Sequence, residues 1–237
     1  MKKLHDRWMK FWIVIAVALT SSAITMAADK VVVIPLSNSS LQNRITELEN
    51  LLAGLSRNGN DIYFSGVNVH IIDGSGNTYG AVNGLGNLIV GYNETRDIGG
   101  PDIRTGSHNV IIGNTHNYSS YGGLVVGTFN NITAPYSSVI GGFANTTSGT
   151  SSTICGGVSN EATASYASVS GGYNNAAAAQ YSHVSGGINN NATGTYSSVS
   201  GGEFNTSEGI ASTVGGGLSR TSVGADDWRA GGLFQDF

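Results

Sequence analysis

Tyr166-Ala-Ser-Val-Ser-Gly-Gly172, Tyr181-Ser-His-Val-Ser-Gly-Gly187 and Tyr196-Ser-Ser-Val-Ser-Gly-Gly202 are successive copies of one phrase, and Tyr136-Ser-Ser-Val-Ile-Gly-Gly142 is an earlier one. The central apolar residue recurs at Leu124, Val139, Ile154, Val169, Val184, Val199 and Val214, each 15 positions after the last, with Val110 14 positions before Leu124. A related phrase around Leu88 opens the series. A fixed short period makes each copy one structural unit stacked on its neighbours, not part of a fold wrapped around one centre. A turn of this length suits two short strands and two bends, a flattened roll that advances about 4.8 Å per turn. The fold class expected is therefore all-β, a parallel β-roll or β-solenoid, with those apolar residues as its repeat core.

The flanks divide the rest of the chain. Lys2, Lys3, Arg7 and Lys10 precede the apolar run Phe11–Leu19, and small residues end at Ala27-Ala28, the layout of a secretory signal peptide over 1–27. A linker follows over 28–40, whose Ser37-Asn-Ser-Ser40 can cap a helix. Leu41, Ile45, Leu48, Leu52 and Leu55 are spaced 4, 3, 4, 3, the seam of a short coiled-coil helix over 41–56. Two heptads are marginal alone, so the seam implies partner copies or packing on its own chain. Residues 57–85 read as a β transition: Ile62 and Phe64, then Val67, Val69 and Ile71, alternate as two strands, and Asp73-Gly-Ser-Gly-Asn77 is a turn. The roll spans 86–224, with a charged loop from Glu94 to Gly106 inserted between turns, and 225–237 is a C-terminal cap with bulk from Trp228, Leu233 and Phe234.

Composition narrows the function classes. Among 237 residues there are 35 Gly and only 11% charged residues, against roughly 25% in average proteins. The leader holds four of the eleven basic residues and one of the fifteen acidic ones, so its loss leaves seven and fourteen, a net charge of −7. An acidic, charge-poor surface has no basic stripe for phosphates, and nucleic acid is not an expected partner. The single Cys155 forms no internal disulfide and reads as a small core residue. A turn offers one aliphatic, one aromatic and some alanine, a thin interior that gains from packing several rolls together.

Asn87-Leu-Ile-Val-Gly91, Asn109-Val-Ile-Ile-Gly113 and Gly123-Leu-Val-Val-Gly127 resemble the repeat phrase in the head of trimeric autotransporter adhesins of the YadA-like type. The resemblance covers about residues 86 to 220. It implies a left-handed β-roll, a homotrimer, the bacterial cell surface, and adhesion to an extracellular matrix protein or a glycan. The chain departs from the family in three ways: later turns read Ser-Val-Ser-Gly-Gly, the helix is short and precedes the repeats, and no integral membrane anchor is expected in the mature chain.

Nothing in the sequence assembles into catalysis. His70, His108, His116 and His183 fall at different places in the repeat and read as solvated or turn residues, Glu161, Glu203 and Glu208 are isolated, and no metal or cofactor is expected. The expected function is that of a non-enzymatic, exported cell-surface or extracellular protein, with periplasmic residence left open, whose Tyr- and Asn-rich face adheres to host or surface ligands. Tyrosines stacked only to hold the roll together are the competing reading. A purely structural fibre, spike or surface-layer element is the alternative function, and a carbohydrate-active β-solenoid enzyme is the remote one.

Overall fold

The structure, a computed structural model, describes residues 22–27, 30–35, 38–97 and 100–230. The chain divides into two compact units, Met1–Val69 and His70–Phe237.

In the first unit, β1 (Ser22–Ala27) and β2 (Lys30–Pro35) form an antiparallel hairpin, α1 runs Asn38–Leu51, and β3 (Leu55–Asn58) pairs antiparallel with β4 (Asp61–Phe64). Most of the expected leader, 1–21, lies outside the described residues, and its small-residue end forms β1. Helix α1 stops one turn sooner than the heptad spacing suggested. Gly54 adopts φ +106, which ends the helix, and Leu55 becomes the first residue of β3 instead of the last seam residue. Leu41, Ile45 and Leu48 keep the seam within α1, Leu52 follows its last residue, and all four are exposed, Leu48 at 57%. The second expected strand, Val67 to Ile71, does not form: Gly66 at φ +70 turns the chain away after Phe64.

The second unit is a parallel β-solenoid of about eight turns. One sheet has ten strands, from Leu88–Val90 through Val110–Asn114 and Leu124–Thr128 to Trp228–Arg229. The other has eight, from Asn117–Tyr118 to Thr221–Ser222. Neighbouring coils pair in register at 15-residue spacing, as in Val169↔Val184↔Val199↔Val214. Ten strands stacked at about 4.8 Å make a sheet roughly 43 Å long. The expected insertion between the first two coils is present, at the loop running from Glu94 to Gly106.

Alternation fixes what lies inside. The first sheet points Ile111, Val125, Val139, Ile154, Val169, Val184, Val199 and Val214 inward, each fully buried. Two expected core positions, Leu124 and Val110, are therefore corrected by one residue, and a third, Leu88, lies with Ile89 and Val90 outside the core. Leu124 pairs with Ser138 and Val110 with Leu124, so both lie half-buried on the outer side, while Val125 and Ile111 hold the core column. Leu88 is exposed and aligns with Val110. In the coils of Val110-Ile-Ile112 and Leu124-Val-Val126 three aliphatics run together, and only the middle one faces inward.

The second sheet supplies Tyr118, Ile132, Thr147, Ala162, Ala177, Ala192, Ser207 and Ser222, all buried, so the interior becomes smaller and more polar toward the C-terminus. The last strand lies inside the segment expected to cap the roll. Trp228 continues the outer column after Thr213 and is exposed, while Arg229 takes the place after Val214. Leu233 and Phe234 lie outside the described residues.

Candidate functional site

Each coil has two bends, and these form the two long edges of the roll. At one edge the Gly-Gly bend is followed by a column linked by parallel bridges: Phe143, Val158, Tyr173, Ile188, Glu203 and Leu218. All except Glu203 are apolar or aromatic, and they are exposed. Beside them Asn174 donates from Nδ2 to Asn189 Oδ1 at 2.6 Å.

At the opposite edge stands the tyrosine of the repeat. Tyr136, Ser151, Tyr166, Tyr181, Tyr196 and Ala211 occupy one column, all with φ between 53° and 62°. Left-handed backbone costs an L-residue roughly 1–2 kcal/mol, and Gly or Asn would adopt it at less cost. The column nonetheless keeps tyrosine. The Tyr166, Tyr181 and Tyr196 rings stack with centroids 4.9 and 5.0 Å apart and planes within 5° and 1°. The rings form a ladder, yet they lie outside the roll, 42–59% exposed.

Sequence reasoning missed a third column. Asn130, Asn145, Asn160, Asn175, Asn190 and Asn205 are fully or almost fully buried. Each Oδ1 accepts the backbone N–H of the next rung, as from Asn190 to Asn175 at 2.9 Å. Each Nδ2 donates to the carbonyl four residues back and to a glycine carbonyl of the next coil, for Asn175 those of Gly171 and Gly187 at 3.0 and 2.9 Å. The Asn at 15-residue spacing after Gly-Gly was a visible signal. In each Asn pair the left-handed geometry belongs to the first member (Asn174 φ 55, Asn189 φ 53), and the second builds the ladder.

His116 begins this ladder, which corrects its expected place on a solvated turn. It is fully buried, accepts the Asn130 N–H at Nδ1 (3.2 Å) and makes a 3.2 Å bond from Nε2 to Ile112 O, repeating the asparagine pattern with a ring. The first bond assigns the proton to Nε2. Burial pushes its imidazole below the ordinary value of 6.5. The charged loop is contact-making: Arg96 is buried, bonds the carbonyls of Thr115, Phe129 and Asn130 at 2.7–3.0 Å, and lies 4.1 Å over the Phe129 ring.

The remaining chemistry-bearing groups are scattered. His108 lies 3.5 Å from Asp73, His183 bonds Ser168 and Ser185, and Cys155 is exposed on the outer side of the ten-stranded sheet, not in the core as expected. Among the described residues no three His, Cys, Asp or Glu side chains gather to hold a metal. Among the described residues no helix is long and apolar enough to cross a membrane. Compared with known proteins, the chain matches no family model and no curated protein.

Proposed function

We infer that the chain is a non-enzymatic, exported adhesive protein of the cell surface or extracellular space, assembled from copies of itself. The observation that carries the adhesive reading is the outward tyrosine column. Repeated aromatic rings held in costly backbone geometry, and turned to solvent, suit contact with an external partner. Self-association is supported by the exposed seam of α1 and by the exposed apolar column at the Gly-Gly edge. Three copies, as in the YadA-like heads that the repeat phrase resembles, would bury the seam. A matrix protein or glycan is the ligand class that this surface suits.

Two measurements test the reading. Light scattering on the mature protein is expected to give three times the chain mass, and a monomer would remove the assembly. Binding to immobilised matrix proteins and glycans is expected to saturate. Failure to bind any of them would leave a purely structural fibre.

A further inference from the structure

The tyrosine ladder has a missing rung. Ser151 occupies the column between Tyr136 and Tyr166 with the same left-handed backbone, φ 57 against 58 and 62. At about 4.8 Å per coil, Tyr136 and Tyr166 stand roughly 9.6 Å apart along the column. That leaves the place of one ring at the spacing seen in the stack. Both walls are fixed in advance. Tyr166 is backed by Tyr181 and Tyr196, and Tyr136 is held edge-on by Tyr121 at 5.4 Å, whose ring meets Tyr79 edge-on at 6.1 Å.

We propose that this gap is a binding site for one uncharged pyranose ring of a glycan, seated over Ser151 between Tyr136 and Tyr166. The inference rests on the adhesive reading above and narrows its ligand class. A sugar ring has the thickness of the absent rung and presents C–H faces to the two π-systems. The hydroxyls of Thr150, Ser151 and Ser165 flank the gap and make no hydrogen bond within the described residues, which leaves them free for sugar hydroxyls. An aromatic side chain from a protein partner would fill the same space but cover those hydroxyls without pairing them. Charge selects too. The bend residues 133–137, 148–152, 163–167, 178–182 and 193–197 contain no Asp, Glu, Lys or Arg, so nothing there compensates an ionised ligand. Because both walls are fixed before binding, little side-chain freedom is lost. The site also lies at the bend opposite the apolar Gly-Gly edge, so assembly through that edge leaves it open.

The test is to complete the ladder. The full mature protein is screened on uncharged hexasaccharides of glucose, galactose, mannose and N-acetylglucosamine, alongside tyrosine- and tryptophan-bearing peptides and matrix proteins. The best sugar is then titrated by calorimetry against Ser151→Tyr, with Tyr166→Leu as a second variant that opens one wall. Ser170→Tyr, on the exposed outer side of the ten-stranded sheet, controls for an added ring. The expected result is binding at least tenfold weaker in Ser151→Tyr and Tyr166→Leu, within twofold in Ser170→Tyr, and a sugar-induced tyrosine difference spectrum only where binding persists. Sugar binding untouched by both gap variants overturns the site and leaves adhesion standing. Binding to peptides or matrix proteins without any sugar overturns the ligand class and again leaves adhesion standing. No binding of either kind overturns both.

Discussion

Replacing Asn175 with alanine removes one rung from the middle of the buried amide ladder. Four contacts go: the Asn190 N–H to Oδ1 at 2.9 Å, and the Nδ2 donations to Gly171 and Gly187 at 3.0 and 2.9 Å and to Asn160 Oδ1 at 3.2 Å, the last three sharing two N–H groups. Gly187 O keeps the Tyr173 N–H at 2.9 Å, so its loss is partial. The Asn190 N–H has no substitute and is stranded in the interior. An unpaired buried donor costs about 1–3 kcal/mol and each ordinary bond about 1 kcal/mol, giving roughly 3–5 kcal/mol for Asn175→Ala. The adjacent Asn174→Ala removes only one exposed side-chain bond and a residue type tolerant of left-handed backbone, about 1 kcal/mol. Urea unfolding followed by far-ultraviolet dichroism compares the two, and hydrogen exchange at the Asn190 amide reads the local effect. In a stacked array the damage concentrates at the interfaces of the altered coil. If Asn175→Ala costs no more than Asn174→Ala, or the Asn190 amide stays protected, the ladder does not hold the coils together.

Two further outcomes follow from the same geometry. Gly172→Ala is expected to destabilise by at least about 3 kcal/mol, because a Cβ there meets Gly187 O at 2.3 Å on a φ of +88. Gly171→Ala, with no atom nearer than 4.0 Å, should stay within about 0.5 kcal/mol in the same unfolding assay. Burial holds His116 neutral in the folded roll, so as pH falls below 6.5 the unfolded chain takes up a proton first and stability declines. His116→Asn, which continues the ladder in kind, should remove that part of the acid dependence when unfolding midpoints are compared between pH 7 and pH 5.

The repeat made the roll legible, because one phrase at 15-residue spacing leaves few other ways to bury valine. What it did not show was which of three adjacent aliphatics faces in. Val110-Ile-Ile112 and Leu124-Val-Val126 satisfy an inward column in two phases, and only pairing with the shorter strand Ser138–Val139 selects Ile111 and Val125. Leu55 was misplaced because heptad spacing says nothing of where a helix stops, whereas a left-handed Gly54 does. Asparagine in a polar chain reads as a turn residue, since burial of an amide is favourable only when every donor and acceptor is met, and that requires the neighbouring coils. The tyrosine edge was half legible: its spacing was plain, but its place on the outside follows from the bend, not from the residue type.

The asparagine column also has ends. Arg220 donates its backbone N–H to Asn205 Oδ1 but brings no amide side chain to pass on, and Arg229 follows Val214 in the apolar column. From Asn130 to Arg220 the rungs repeat at 15-residue spacing, so gene duplication or loss of one such segment would keep the asparagine column in register. The length of the roll can thus change in steps of one coil, about 4.8 Å at a time, with the two arginines closing its columns each time.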